Sequence, residues 1–374
     1  MDAAVRDRSQ PVPLRKPVSL ALQGGGAWGA YTWGVLDALL ASRRIAIDQI
    51  SGTSAGALNG AVLASAFGSA AIAGRQAQAH EMAREALEAF WRALSQPDNP
   101  TGFLLWQPFA EALRSSVGQW MWASGLGSPY ATQAPGANPL REVIARHIDV
   151  EAIRSDFAPA LYVTVTNVRT GLPRIIANAE MSVEALAASA CLPQIFQAVE
   201  LDGEPYWDGG YAGNPTLWPL IRHRGRGRSS DVILVQLAPG YCAETPQDAT
   251  AINRRVGEIM FNSSLVAEMQ AIAAIREAAQ GAPGAVSSPS PFVSVRMHRI
   301  GPPPAALLEQ GSADQRSWTW LTQLRDEGRA AARGFLKRHA DSIGRHETLD
   351  IARIFQSPQK PRIRMRGTAR AAGR

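Results

Sequence analysis

Two glycine-rich turns inside the forty residues 17–56, each standing between an apolar run and a helix-patterned run, restrict this chain more than any other feature. "PVSLALQ" is a short continuous apolar run closed by Gly24, Gly25 and Gly26. The "AYTWGVLDALLAS" that follows sets Tyr31, Val35, Leu36, Leu39 and Leu40 at helical spacing. "RIAIDQI" then leads into "SGTSAGALNG" and a second helix. A continuous apolar run reads as a strand buried on both faces. Strand, glycine turn and helix, repeated in that order, predict a parallel sheet with crossover helices.

The rest of the chain continues the pattern. "ALYVTVTNV", "PRIIAN", "DVILVQLAP" and "FVSVRMHRI" read as strands, interleaved with five helical segments from "AHEMAREALEAFWRAL" to "SWTWLTQLRDEGRAAARGFLKRHA". We expect a three-layer α/β/α fold with a mostly parallel central sheet, the strands running too far along the chain for two independent domains. The predicted organisation is a flexible arm over 1–15 and a catalytic domain over 16–300. A helical extension over 301–356 and a basic disordered tail over 357–374 follow. The Pro-, Gly- and Trp-rich stretch 97–139 reads as an insertion or lid; Trp106, Trp120, Met121, Trp122 and Leu126 fit ordinary packing of that insertion first, and an interfacial patch or acyl-binding lid second.

Charge bears on the class of partner. The 374 residues carry a net charge of +6, and six basic residues with no acidic one fall between Lys360 and Arg374. The body is therefore near neutral, which argues against nucleic acid and leaves an anionic lipid surface as the second reading of a solvated tail. No apolar core of a signal peptide precedes "PVSLALQ", and Cys191 and Cys242 give no disulfide framework. Residues 55–74 carry no charge, but their Ala/Gly/Ser composition and Asn59 fit a helix buried on all sides better than a membrane span. The expected location is the cytoplasm, with peripheral membrane contact; the oligomeric state is left open.

Two chemistries compete for the glycines. Gly24-x-Gly26-x-x-Gly29 matches a dinucleotide fingerprint, with Asp48 nineteen residues after Gly29 in the place of a ribose-binding acid. The second turn, Gly52-Thr53-Ser54-Ala55-Gly56, is a Gly-x-Ser-x-Gly between strand and helix, the pattern of a nucleophile elbow. Its serine needs a base, and none of the six histidines sits in a turn of catalytic character; all six read first as surface or core residues, and His298, ending a strand candidate, is the one remote candidate kept. A carboxylate is better placed: in "YWDGGYAGNP", Asp208 precedes Gly209 and Gly210 with aromatic residues before it. Partial desolvation there makes it a stronger base.

"GGGAWG", "GTSAG" and "DGG", with "ASACLPQIF" ahead of the last, resemble in this order the patatin-like phospholipases, over roughly residues 17–240. The resemblance implies a Ser-Asp dyad lipid acyl hydrolase, with Ser54 as nucleophile, Asp208 as its base and the amides of Gly24, Gly25 and Gly26 as the oxyanion hole. Gly29, Gly52, Gly56, Gly209 and Gly210 support the turns. A basic residue often follows the three glycines in that family, whereas Ala27 and Trp28 stand here. The implied substrate is a lipid or acyl ester, with no metal and no cofactor. The alternatives are an esterase of the polyhydroxyalkanoate depolymerase type and an NAD-dependent oxidoreductase built on the first loop.

Overall fold

The computed structural model describes residues 15–95, 128–134, 136, 138–222, 229–281, 290–304, 307 and 318–356. The insertion's tryptophans, nearly all of the N-terminal arm, and the basic tail lie outside the described residues.

Eight strands form one sheet: β1 (Lys16–Leu22), β2 (Ile45–Thr53), β3 (Ala160–Asn167), β4 (Pro173–Ala177), β5 (Val199–Leu201), β6 (Glu204–Asp208), β7 (Asp231–Val235) and β8 (Arg296–Ile300). Their pairing runs β5-β6-β3-β2-β1-β7-β8, with β4 also on β3. The pairs β1–β2, β1–β7, β2–β3 and β7–β8 are parallel, and the pairs made by β4, β5 and β6 are antiparallel. The principal helices are α1 (Gly29–Ser42), α2 (Ala55–Ile72), α3 (Ala79–Ser95), α4 (Leu140–His147), α5 (Val150–Arg154), α6 (Val183–Ser189), α7 (Trp218–Arg222), α8 (Ala249–Gly281) and α9 (Trp318–His339).

Alternation along the central strands divides the interior in two. Val18, Leu20 and Leu22 of β1 join Ile233 and Val235 of β7 in a core shared with α1, α2, α3 and α9. Ala21, Val232, Leu234 and Met297 face the other way, into a core closed by α7 and α8. Successive side chains of a strand point to opposite faces, so a sheet apolar on both must be covered on both. That is the three-layer architecture the sequence predicts.

Two local details refine that expectation. α9, which falls in the predicted C-terminal extension, belongs to the main core through Leu321, Leu324, Phe335 and Leu336. It crosses α1 so closely that a Cβ on Gly34 would lie 1.8 Å from the Arg325 carbonyl oxygen, and one on Gly328 2.1 Å from that of Tyr31. The hairpin β5–β6 is absent from the sequence reading. Its two-residue turn, Asp202-Gly203, has φ of 53° and 78°, and Asp-Gly is a favoured pair for such a turn.

Candidate active site

The sheet itself brings Ser54 and Asp208 together. Val165 and Thr166 of β3 pair with both β4 and β6, so those two strands take opposite edges of β3. Tyr162, Val163 and Thr164 pair with both β2 and β4, which puts β2 on the edge that β6 uses further along. β2 is parallel to β3 and ends at Thr53 opposite Thr164; β6 is antiparallel and ends at Asp208 opposite Val165. The C-terminal ends of β2 and β6 thus meet at successive positions of one strand. Ser54 leaves β2 at that junction.

Ser54 has φ 53° and ψ −126°, a conformation that L residues rarely adopt and that holds strain. Close approach explains the glycines around it. A Cβ on Gly52 would stand 2.7 Å from the Ala57 nitrogen, and one on Gly56 2.2 Å from the Leu22 carbonyl oxygen. Gly29 packs the first loop against Ala55 in the same way, its added Cβ falling 2.6 Å from the Ala55 Cβ. The Ser54 N–H donates to Ser189 Oγ at 2.9 Å, and Ser189 Oγ donates to the Thr164 carbonyl at 2.8 Å. One buried hydroxyl therefore ties the strained residue to β3. Helix α2 starts immediately after Ser54 and aims its N-terminal dipole at this point.

Asp208 is fully buried. Burial pushes its carboxyl up to about 7, against the opposing pull of the Ser54 hydroxyl and of the Gly210 N–H, which donates to Oδ1 at 2.7 Å. Oδ2 has no hydrogen-bond partner among the described residues. The Ser54 hydroxyl is close enough to the carboxylate to favour its charged form. Gly209 and Gly210 are confined too: added Cβ atoms would meet the Thr164 carbonyl oxygen at 2.0 Å and the Phe261 ring at 2.4 Å.

The first glycine loop borders the elbow. A Cβ on Gly24 would lie 2.6 Å from the Thr53 carbonyl oxygen and 2.8 Å from Ser54 Cβ. Gly26 needs its glycine for conformation, at φ 58° with open space around the Cβ position. The three N–H groups differ in use. That of Gly24 donates to Asn214 Oδ1 at 2.6 Å, and Asn214 Nδ2 donates back to the Gly24 carbonyl at 3.3 Å. The amides of Gly25 and Gly26 have no acceptor among the described residues. Ala27 and Trp28 continue into a single 3-10 turn, so no cation stands at that position.

A buried polar belt supports the loop. Gln23 Nε2 donates to Asn262 Oδ1 at 2.9 Å, and Gln23 Oε1 accepts from the Leu237 and Ala238 amides at 2.7 and 2.8 Å. Sequence reasoning missed Gln23, Ser189, Asn214 and Asn262. The position of Asn214, in "GNP" just past "DGG", was the available signal.

Of the other residues singled out, His298 and Asp48 are bound in other contacts, and Cys191 and Asn59 border the centre. His298 is buried between Asp231 Oδ1 at 3.0 Å and Thr348 Oγ1 at 2.9 Å, in an ion-paired cluster with Arg296. Asp48 lies within β2 rather than at its end, and its Oδ2 accepts the Ser229 N–H at 2.9 Å, so the acid a dinucleotide would need is committed elsewhere. Cys191 is buried, its thiol pushed up to about 12 by desolvation and by the Asp208 charge. α2 is the one helix among the described residues long and apolar enough to cross a membrane, and it is largely buried in the protein. Its Asn59 bonds the Gly29 and Ala55 carbonyls at 3.1 and 2.9 Å and accepts from Trp91 Nε1 at 3.0 Å. Among the described residues, no cluster of His, Cys, Asp and Glu has the geometry of a metal site.

The profile of the patatin-like phospholipase family matches residues 20–221. No curated protein matches the sequence. Among solved structures the chain is similar to VipD from Legionella pneumophila, at 16% identity and a TM-score of 0.39, over 87% of this chain and 67% of that one. It is also similar to the type III effector protein ExoU, at 17% identity and a TM-score of 0.31, over 88% of this chain and 54% of that one. The chain thus spans about two thirds of the first and about half of the second.

Proposed function

The chain belongs to the patatin-like phospholipase family, and from that premise we propose that it is a lipid acyl hydrolase working through Ser54 and Asp208. Ser54 Oγ attacks the carbonyl carbon of an ester while its proton passes to the Asp208 carboxylate. The tetrahedral oxyanion is met by the free amides of Gly25 and Gly26 and by the first-turn amides of α2. Collapse breaks the bond to the leaving alcohol, which takes the proton from Asp208 and leaves an acyl-Ser54 ester. Asp208 then deprotonates water, which attacks the acyl carbon; the proton returns to Ser54 and the carboxylic acid departs. One base serves both half-reactions, as its reversible protonation near neutral pH allows.

The observation that carries this reading is the meeting of β2 and β6 on one edge of β3. It sets a fully buried carboxylate with an elevated pKa beside a serine in a strained elbow. Peripheral contact with a lipid surface belongs to the same proposal. It is supported by α8, whose Ile252, Val256, Ile259 and Met260 are exposed at helical spacing, while Phe261 and Asn262 reach the site from the opposite face.

The test is hydrolysis of nitrophenyl esters of increasing chain length and of phospholipid vesicles by the wild type and Ser54→Ala. Labelling of the wild type by a fluorophosphonate is run alongside. We expect label on Ser54 alone and a loss of at least about 10³-fold in kcat for the variant, as when an activated nucleophile is removed. Hydrolysis undiminished in Ser54→Ala refutes the dyad.

A further inference from the structure

We propose that Asn214 is a positioning residue that aims the oxyanion-binding amides of the glycine loop; the inference rests on the dyad reading above. The geometry begins with the peptide plane. The carbonyl of Gly24 and the N–H of Gly25 belong to one trans peptide unit, so they point in opposite directions and turn together. Asn214 Nδ2 holds that carbonyl at 3.3 Å, and Asn214 Oδ1 holds the preceding N–H, that of Gly24, at 2.6 Å. A single side chain therefore fixes the two peptide units flanking the Gly24 Cα. In doing so it turns the Gly25 N–H away from itself.

The loop needs such a clamp because its own residues supply none. Gly24, Gly25 and Gly26 have no side chains, and glycine backbone is the least restrained of any residue. A donor that must wander to find its anion has lost the preorganisation that makes an oxyanion hole effective. Asn214 is in turn immobilised from three directions. Its N–H donates to Ser264 Oγ at 3.0 Å, its Nδ2 also reaches the Phe261 carbonyl at 3.1 Å, and its carbonyl accepts from Gln23 Nε2 at 3.3 Å. It is completely buried. Asn214 thus transfers the rigidity of α8 and of the β1 end to a turn that has none. The Gly24 amide, committed to Asn214, is the clamp point and not a donor to the reacting oxygen.

The chemistry predicts which variants fail. Asn214→Ala removes both bonds to Gly24. Asn214→Asp keeps the volume and an acceptor for the Gly24 N–H but loses the amide donor to the carbonyl. The experiment measures kcat, KM and the rate of Ser54 phosphonylation on the full chain, with unfolding monitored in parallel. We expect kcat and phosphonylation to fall about 10- to 100-fold in Asn214→Ala, less than or equal to the loss for deleting one oxyanion donor outright. A fall of at least about threefold is expected in Asn214→Asp, with KM within about twofold of wild type in both. Asn214→Asp carries the test if Asn214→Ala does not fold. Wild-type kcat in a folded variant overturns the proposal, and so does a loss that appears in KM rather than kcat. The controls separate the two levels: hydrolysis surviving Ser54→Ala sinks the dyad itself. Loss in Ser54→Ala beside full activity in the Asn214 variants sinks only the positioning role.

Discussion

Replacing Asp208 by asparagine should abolish activity and stabilise the protein, the second effect appearing only as pH rises. The carboxyl is fully buried, and folding raises its pKa from 3.8 to about 7. A group held above its unfolded value binds its proton more tightly in the native state. Its stabilising contribution is therefore complete below pH 3.8 and is lost as pH climbs through 7. Each pKa unit corresponds to about 1.4 kcal/mol, so the ionised carboxylate costs the fold about 4 kcal/mol at pH 8. The amide introduced by Asp208→Asn has no such proton to lose, and its oxygen can still accept the Gly210 N–H. The assay is urea unfolding of wild type and Asp208→Asn at half-unit steps from about pH 4 to about pH 8. The gap between the two should widen in favour of the variant by about 4 kcal/mol across that range, groups common to both cancelling. The same titration should appear in the wild-type kcat/KM, rising with pH to a plateau just above 7. Parallel stability curves would show that Asp208 does not carry its charge unaided in a dry site, and would remove the physical ground for its basicity.

Three further outcomes rest on separate contacts. Ser189→Ala leaves the Ser54 N–H without its acceptor at the strained elbow; it should cost about 1–3 kcal/mol in urea unfolding and slow fluorophosphonate labelling of Ser54. Gly34→Ala forces a methyl to within 1.8 Å of the Arg325 carbonyl oxygen, so α1 and α9 must separate. A loss of about 1–3 kcal/mol or more should be read in thermal unfolding, with kcat of the folded fraction unchanged. Asp231 is subject to desolvation that raises its pKa, but His298, Arg296 and the Gly344 N–H outweigh it and hold the carboxyl well below its ordinary range. Its stabilising contribution is present above the unfolded pKa and lost as pH falls, so Asp231→Asn should destabilise at neutral pH and converge on wild type under acid unfolding.

The layers, the two glycine turns and the buried character of α2 were legible because each leaves a local trace. A continuous apolar run, a bare turn and an uncharged helix can all be read from neighbours in sequence. Asp208 was singled out from its turn, and the family resemblance paired it with Ser54; the β3 register that joins them across 154 positions leaves no mark on either segment. The division of labour among Gly24, Gly25 and Gly26 was not legible at all. Three identical residues in a row carry no sign of which amide an asparagine 190 positions away will take. His298 takes the core role expected of the histidines: it lies in the middle of β8, where a buried aspartate and a threonine use both its ring nitrogens.

Several costs of this fold meet at one junction, although buried side-chain atoms of Thr32, Trp33 and Trp207 also have no hydrogen bond among the described residues. Ser54 holds a strained backbone, Asp208 sits ionisable in a dry pocket with one oxygen unbonded, and two amides of the glycine loop lack partners. The first two are departures from the rule that buried polar groups are satisfied and backbones relaxed, each worth on the order of 1 to several kcal/mol, whereas Gly25 is half-buried and Gly26 exposed, so their amides are open to solvent. Gathered within one junction of β2, β6 and the first loop, all three share a single remedy, because an ester carbonyl in that space has something for each. On the proposed mechanism its carbon would take the serine oxygen, its oxygen the amides, and Asp208 the released proton. The surrounding contacts, Ser189 on β3 and Asn214 with Gln23 and Asn262 against α8, are by contrast fully bonded. A rigid satisfied frame around an unsatisfied centre is what preorganised catalysis requires.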